Sequence, residues 1–401
     1  MRLDAGYRMN ALMVDRLIAQ GSLWTRNLIA SFRASPRHYF IDHIYVFNED
    51  QGWREVVIRS RTSLNDLKLI YSDRALTTRL GTAKVGHSLT PISSSSQPSL
   101  MAQMLEDLHL QAGNRVLEIG AGTGYNAALM ALVTGPGRVL SLDVDRQVLT
   151  EARKHLEAFS DREVVLLHAD GRQVLPNHER WDRIIVTAAT PDMEPAWIEQ
   201  LKEGGTLVAP IDLATGLAFV VRGTVIRGTF VGRITRAAYF MPLRKEEESG
   251  DRLETGVSVP GDLRAKKAPW LRGTEPAKAR NSYSTLVQSL AFYGWLKGLK
   301  VAYQTLPGGQ VAYALQDQEA SRTCWINTQA WFAEDELGMD LGQALWRSFL
   351  EAGAPRPTEF RLRISLNEIL PSGESSESYV IHGPTCRQVW DLIEPRDRPM
   401  V

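Results

Sequence analysis

The chain has 401 residues, which is enough for two domains or for one large domain with extensions. Lys and Arg number 46, as do Asp and Glu, so the net charge of zero gives no indication of a nucleic acid or an anionic membrane as partner. Because only Cys324 and Cys386 occur, we expect neither a disulfide framework nor a cysteine zinc site. No apolar run approaches the roughly 20 residues of a membrane span, and the N-terminus lacks the apolar core of a signal peptide. We therefore expect a cytoplasmic protein.

The N-terminal part of the chain combines helix patterns with one predicted hairpin. Residues 8–31 place apolar residues at helical spacing with a break at Gly21-Ser22, and residues 45–61 alternate around a polar turn. A run of four serines, Ser93–Ser96, then leads into a predicted helix over residues 100–108. Taken alone, the serine run is as consistent with a flexible polar loop as with a binding segment, and the helix behind it favours the binding segment.

The most informative stretch runs from residue 115 to residue 125. Alternating apolar residues predict a short buried strand, and a predicted helix follows. Between them, glycines stand at every second position: Gly120, Gly122 and Gly124. Glycines at such a turn let the backbone bend tightly and let a ligand approach without a Cβ in the way. A dinucleotide site would need a glycine where this chain has Tyr125, and Glu118 at the strand end suits a cation-bearing ligand better than a phosphate. The pattern resembles motif I of S-adenosylmethionine (SAM) methyltransferases, although a glycine turn can also simply join a strand to a helix.

Further strand patterns follow, and acidic residues stand at two of the strand ends. The segment 138–143 ends in Asp143, and the segment 164–167 is followed by Asp170. Beside the glycine turn, Asp143 can accept from both ribose hydroxyls of a nucleoside, and Asp170 can accept from an adenine amino group. Asp145 is a near alternative to Asp143, and solvated turn acids explain the placement at strand tips less well. The alternation predicts an α/β fold with a doubly wound, Rossmann-like parallel sheet that binds its ligand at the strand carboxyl ends.

In their order along the chain, these and further stretches resemble the protein-L-isoaspartate O-methyltransferase family over about Met9 to Arg244. The matching stretches are Met13–Ile18, Pro36–Phe40, Tyr71–Leu76, Ser96–Pro98, Glu118–Tyr125, Asp170-Gly171, Ile184–Pro191 and Gly204–Pro210. Each motif alone is weak, but the ordered set is specific. The resemblance implies SAM-dependent methyl transfer to the carboxylate of an L-isoaspartyl or D-aspartyl residue of a protein or peptide, with no nucleic-acid or membrane partner.

The resemblance also implies which residues form the site. Ser96 matches the family's active-site serine, whose hydroxyl can orient the acceptor carboxylate. The residues expected to bind SAM are Glu118, Gly120, Ala121, Gly122, Thr123, Gly124, Asp143, Asp170, Gly171 and Thr187. The residues expected to contact the substrate are Ser95, Gln97, Ala188 and Ala189. Since a carboxylate acceptor is already ionised at neutral pH, catalysis needs positioning and desolvation rather than a strong base. The eight histidines show no metal-ligand spacing, so no metal is expected.

Three features depart from the typical family pattern. The insertion between Phe40 and Tyr71 is long, the serine run replaces a more usual Thr-Ile-Ser, and Tyr125-Asn126 follows motif I. Together they resemble a branch of the family found beside maturation enzymes of ribosomal peptides, in which an aspartate is methylated on the way to an aspartimide. Protein repair and peptide tailoring therefore both stay open, as does a non-catalytic SAM-binding protein that recruits a partner.

The composition changes after Arg244. We expect a catalytic domain over residues 1–244, a charged Gly- and Pro-rich linker over 245–279, and an α+β accessory domain over 280–401. The last domain carries no catalytic motif, and we hypothesise that it governs which substrate is used. Three of its tryptophans are expected in its core: Trp325, Trp331 and Trp346.

Overall fold

The structure is a computed structural model of the full chain. It describes residues 3–58, 63–82, 89–159, 163–176, 179–244, 259, 263–267, 283–319, 321–366 and 377–393. Within these ranges, no helix has both the length and the apolar character needed to cross a membrane. Most of the predicted linker, residues 245–279, lies outside the described residues.

The N-terminal part folds as a helical layer beside a small antiparallel sheet. Its elements are α1 (Leu3–Ala19), α2 (Arg26–Ala34), β1 (His43–Asn48), β2 (Gly52–Val57), α3 (Leu64–Ile70), β3 (Leu76–Thr82), β4 (Leu89–Ser95) and α4 (Pro98–Leu108). The predicted helices, the break between them and the hairpin are confirmed. The sheet order is β2-β1-β3-β4. The serine run is not a flexible loop over most of its length, because Ser93–Ser95 form the end of strand β4 and pair with strand β3.

The central part contains the predicted parallel sheet. Its elements are β5 (Val116–Ile119), α5 (Tyr125–Thr134), β6 (Val139–Asp143), α6 (Arg146–Phe159), β7 (Val164–His168), β8 (Trp181–Val186), α7 (Pro195–Glu199), β9 (Leu201–Ala214), β10 (Leu217–Ile226) and β11 (Thr229–Ala237). Strand β5 pairs in parallel with β6 and β8, and the parallel pairing continues to β7 on one side and β9 on the other. All four residues of β5 are buried, as expected for a strand covered on both faces. The long strand β9 then turns back into the antiparallel strands β10 and β11.

The C-terminal part belongs to two sheets. Its elements are β12 (Arg264–Lys267), α8 (Tyr283–Leu296), β13 (Lys300–Thr305), β14 (Val311–Gln316), β15 (Thr323–Ile326), β16 (Ala330–Ala333), α9 (Glu336–Glu351), β17 (Phe360–Ser365), β18 (Ser378–His382) and β19 (Arg387–Leu392). Strands β12 to β16 form a separate antiparallel sheet in the order β12-β16-β15-β14-β13. Strands β17 to β19 instead extend the main sheet, whose order is β18-β19-β17-β11-β10-β9-β8-β5-β6-β7.

A continuous hydrophobic core also joins the central and C-terminal parts. Phe292 of α8 packs edge to face against Phe219 of β10, Phe360 of β17 and Trp390 of β19, with ring centroids 5.5–5.6 Å apart. The predicted core positions Trp325, Trp331 and Trp346 are confirmed, because each is at most 8% exposed. The separate domain over residues 280–401 stays a prediction, beside the observation that β17–β19 extend the main sheet and that the core is shared. The boundary at residue 244 is therefore a proposal that a truncation experiment can test.

Candidate active site

The glycine turn between β5 and α5 is a place of close backbone approach. Gly120 has a φ of +99°, in the region that disfavours side chains, and a Cβ there would lie 2.3 Å from the hydroxyl oxygen of Thr187. Gly171, after β7, approaches β5 from the other side, since a Cβ there would lie 2.3 Å from a methyl group of Ile119. At both positions a larger residue would collide with a neighbouring side chain of the protein, so the close approach of these segments requires glycine.

Thr187, at the end of β8, ties the turn to its neighbour strand. Its hydroxyl donates to the carbonyl oxygen of Gly120 at 2.8 Å and is 3.1 Å from that of Ile119. The hydroxyl therefore fixes the turn by donating, and it could interact with a ligand only as an acceptor.

Glu118 lies behind the turn and is completely buried in strand β5. Its carboxylate accepts hydrogen bonds from Asn126 Nδ2 at 2.7 Å and from the Ser141 hydroxyl at 2.6 Å. Burial raises the pKa of Glu118 to about 7, and the two hydrogen bonds oppose that rise. Oδ1 of Asn126 is itself buried and has no partner among the described residues, which leaves an acceptor open at the cavity edge.

The raised pKa of Glu118 predicts a pH-dependent stability. Between the ordinary glutamate value of 4.5 and about pH 7, the unfolded chain loses a proton that the folded protein keeps, so the free energy of unfolding falls as the pH rises through this window. We expect the loss to be about 1–3 kcal/mol and to level off above pH 7. Glu118→Gln, which cannot titrate, should not show that slope in denaturant titrations between pH 5 and pH 8. Glu157→Gln, at an exposed position of helix α6, is the control and should keep the wild-type slope.

The two strand-tip acids differ in what their carboxylates contact. Asp143, at the end of β6, accepts from the backbone N–H of Gly122 at 3.3 Å and of Asp145 at 3.0 Å, and burial raises its pKa. Asp170 is paired instead with Arg172 through two hydrogen bonds of 3.0 and 2.9 Å. Asp143 lines the cavity described below, whereas Asp170 does not, although its neighbours do. Asp143 can serve the ligand as predicted; Asp170 could do so only if it shared its carboxylate with Arg172.

The serine segment forms the opposite wall. The carbonyl oxygens of Ser95 and Ser96 accept from the guanidinium of Arg37 at 3.0 and 2.7 Å. On the other side, the Asp73 carboxylate accepts from the N–H of Ser99 at 2.9 Å and from the Gln97 amide at 3.3 Å. The segment is therefore held from both sides. Neither Arg37 nor Asp73 was singled out from the sequence, although both lie in stretches that carry the family resemblance.

A cavity of about 640 Å³ lies between the glycine turn and the serine segment, at the carboxyl ends of the parallel strands. Twelve of the fifteen predicted site residues line it: Ser95, Ser96, Gln97, Glu118, Gly120, Ala121, Gly122, Thr123, Asp143, Gly171, Thr187 and Ala188. The remaining three are Gly124, Asp170 and Ala189, which do not line it. Gly124 is the N-cap of helix α5 and packs against helix α6. The backbone of Ala189 forms hydrogen bonds with residues 241 and 243.

Sequence reasoning missed one wall of the cavity, residues 239–244. Arg244 donates to the Ile92 carbonyl of β4 at 3.1 Å, and its charge favours the ionised form of Asp143. The segment follows β11 and contains no motif of its own. The one indication in the sequence was its position at the end of the family resemblance.

The loop after β8 is anchored by the C-terminal part. Asp192 is completely buried, and its carboxylate accepts from the backbone N–H groups of Thr385 and Cys386 at 3.0 Å and from the Gln388 amide. Four residues upstream, Ala188 lines the cavity. The turn before β19 thus holds the loop that forms part of the site.

The parallel sheet, the glycine turn and the cavity at the strand carboxyl ends define a Rossmann-like α/β protein of the methyltransferase type. A profile described as protein-L-isoaspartate(D-aspartate) O-methyltransferase matches residues 68–248. A protein-L-isoaspartate O-methyltransferase of Ignicoccus hospitalis is 35% identical over 38% of this chain and 72% of its own length. One of Hyperthermus butylicus is 32% identical over 50% of this chain and 73% of its own length. The chain belongs to the protein-L-isoaspartate O-methyltransferase family.

Other matches are shorter or show the fold alone. A protein-L-isoaspartate O-methyltransferase of Thermotoga maritima is 43% identical, but over 30% of this chain and 38% of its own length. For the relative from Azorhizobium caulinodans, also 43% identical, the match spans 29% of this chain and 52% of the relative. A solved structure named protein-L-isoaspartate O-methyltransferase superposes over 90% of this chain and 98% of its own, with 21% identity and a TM-score of 0.51. That likeness extends into the C-terminal part and shows a shared fold.

Proposed function

We propose that this protein is a SAM-dependent carboxyl O-methyltransferase that acts on L-isoaspartyl or D-aspartyl residues of proteins, in the manner of a repair enzyme. The observation that carries the proposal is the cavity itself, in which the glycine turn of motif I faces the serine segment of the same family. A Cβ on Gly122 would lie 3.7 Å from the carbonyl oxygen of Ser94. The glycine turn assigned to the cofactor and the serine segment assigned to the acceptor carboxylate are therefore close together.

The residues around the turn fit SAM. Gly120 and Gly171 line the cavity without side chains of their own, and the unpartnered Oδ1 of Asn126 can accept from a ligand amino group. Asp143, with lone pairs remaining beside two backbone donors, suits the ribose hydroxyls. SAM when bound supplies the methyl group on a sulfonium. Burial of Glu118 places a group that is partly anionic near neutral pH behind the turn, and this charge suits a cationic ligand.

The chain's own contribution is orientation and exclusion of water. The acceptor carboxylate is ionised at neutral pH, so no side chain has to remove a proton from it. The Ser96 hydroxyl can donate to one carboxylate oxygen, and residues 239–244 form a further wall of the cavity. Ordering two reactants in this way can supply a large part of a displacement's rate enhancement.

The function is tested by turnover. The purified full-length protein should transfer methyl groups from SAM to a short peptide that contains L-isoaspartate, and not to the same peptide with ordinary aspartate. SAM binding measured by calorimetry without any transfer would instead favour a non-catalytic SAM-binding protein.

Ser96→Ala should separate the two binding functions. Because the hydroxyl is assigned to the acceptor, we expect kcat/KM for the isoaspartyl peptide to fall by about tenfold or more while SAM affinity stays within about twofold of wild type. Ser93→Ala is the matched control, since the Ser93 hydroxyl is already bonded to that of Thr78 at 3.2 Å. Full activity in Ser96→Ala would transfer the role to a neighbouring serine.

Peptide tailoring is a second candidate, favoured by the inserted β1–β2 hairpin and by the serine strand that replaces the usual Thr-Ile-Ser. Under this alternative, the substrate aspartate belongs to a modified ribosomal peptide. Methylation of an ordinary aspartate in such a peptide, with no turnover of generic isoaspartyl peptides, would establish it.

A further inference from the structure

Arg37 is an arginine with no exposed surface beneath the serine segment. On one side its guanidinium donates to carbonyl oxygens at the end of α3 and in the segment after it, with Ile70 at 2.7 Å as the closest. On the other side it donates to the carbonyls of Ser95 and Ser96 and, at 3.2 Å, to the hydroxyl of Ser95. Every acceptor that the described residues offer to Arg37 is a neutral oxygen.

A buried charge without a carboxylate partner is costly. Burial lowers the pKa of Arg37 to about 10, so the guanidinium is still charged at neutral pH. The Asp73 carboxylate favours the charged form of Arg37 without a direct contact, because its hydrogen bonds go to Ser99 and Gln97. Neutral side chains can hold buried carbonyls equally well in this fold, as the Asn10 amide does for Phe32 at 2.9 Å. Tying two segments together therefore does not by itself account for a charge at position 37.

A negatively charged ligand group that interacts with Arg37 would have to lie in the cavity. Ser95 and Ser96 accept hydrogen bonds from Arg37, and both residues line the cavity. The guanidinium polarises these groups, so its charge influences the cavity through them. The Ser95 hydroxyl accepts from Arg37, so its own hydrogen is left to donate elsewhere.

We propose that Arg37 is a positioning residue of the acceptor subsite, which fixes Ser95 and Ser96 and makes the subsite selective for a carboxylate through a buried charge that no carboxylate of the described residues contacts. The inference rests on the proposed function, because the carboxylate in question is that of the isoaspartyl residue. It implies that the side-chain amide of isoasparagine, which matches the carboxylate in shape but has no charge, is rejected.

The test compares Arg37→Gln, Arg37→Lys and the control Arg16→Gln. Arg16 also donates to a backbone carbonyl of this region, that of Tyr71 at 2.7 Å, but it is exposed and does not contact the serine segment. Peptide binding is measured by calorimetry in the presence of S-adenosylhomocysteine, for an isoaspartyl peptide and for its isoasparaginyl analogue. Kinetics with SAM give KM and kcat separately.

The wild-type protein should bind the isoaspartyl peptide at least about tenfold more tightly than the amide analogue. In Arg37→Gln this ratio should fall toward one and KM should rise, while the affinity for S-adenosylhomocysteine stays within about twofold. Arg37→Lys should recover part of the ratio because it keeps the charge and loses the planar fork. Arg16→Gln should behave as wild type. A purely structural role of Arg37 would lower both affinities together and leave the ratio intact.

Three results would overturn the proposal. One is an unchanged ratio in folded Arg37→Gln. The second is a wild-type protein that binds the two peptides equally. This result needs no variant, so it can be obtained even if the variants do not fold. The third is a wild-type protein that binds neither peptide. Failure of the proposed function is a separate result, namely tight and charge-selective peptide binding without methyl transfer.

Discussion

Removal of residues 245–401 is expected to leave a protein that is insoluble or does not fold. Strand β11 would lose its partner β17, so a long edge of the main sheet would be exposed. The core would also lose Phe292, Phe360 and Trp390, which are completely buried. Truncating one buried aromatic side chain costs about 3–5 kcal/mol, and a domain has about 5–15 kcal/mol of stability in total. Three such losses together, about 9–15 kcal/mol, are as large as the whole stability of a domain.

The soluble fraction after expression and the near-ultraviolet circular dichroism measure this outcome. Deletion of residues 394–401 alone is the control, because it leaves strands β17 to β19 intact, and it should yield folded protein. A cooperative, SAM-binding fragment of residues 1–244 would show instead that the catalytic part is an independent domain, as the composition change at Arg244 predicts. In that event, the hypothesis of a separate substrate-selecting domain would regain its basis.

Gly120→Ala is expected to abolish measurable SAM binding or to weaken it by at least about 100-fold. The new Cβ would collide with the hydroxyl of Thr187 and would force that side chain off the turn it holds. The positive φ of +99° adds roughly 1–2 kcal/mol of backbone strain. Calorimetric titration with SAM, beside a thermal unfolding scan, measures both consequences.

Gly135→Ala controls for the strain alone. Gly135 has a φ of +102°, but nothing lies within 4 Å of its ideal Cβ position. It should lose stability and keep its SAM affinity. The double variant Gly120→Ala with Thr187→Ala removes the colliding oxygen and should recover part of the binding. Wild-type affinity in the single variant would place the ligand away from the glycine turn.

The parts of the site that could be predicted from sequence are those encoded by local spacing. The three glycines after β5 and the acid that ends β6 follow directly from strand periodicity, and the structure brings Gly120 and Asp143 to the same cavity. Asp170 pairs with Arg172, which is only two residues away in the sequence. Strand periodicity nevertheless does not predict that the arginine side chain turns back to bind this carboxylate.

The parts that could not be predicted depend on contacts between distant segments. Arg37 meets the serine segment 58 residues later in the chain, and no local pattern gives that distance. The same is true of the main sheet, in which residues 229–233 pair with residues 361–365. The charged, Gly- and Pro-rich composition after Arg244 predicts a domain boundary, because such a segment is typically solvated. Composition does not show whether strands before and after that segment pair with each other.

The anchoring of Asp192 by the turn before β19 has a consequence for the timing of biosynthesis. The carboxylate and the Gln388 amide that it accepts from are 196 residues apart. Ribosomes add about 5–20 residues per second, so roughly 10–40 s pass between the synthesis of the two partners. During that interval the loop that carries Ala188 is held through the backbone of Ala189 by residues 241 and 243, but its acid lacks the C-terminal donors and remains hydrated. The cleft is thus expected to mature only after residues 385–388 have left the ribosome, so a nascent chain that has not yet exposed them would be inactive.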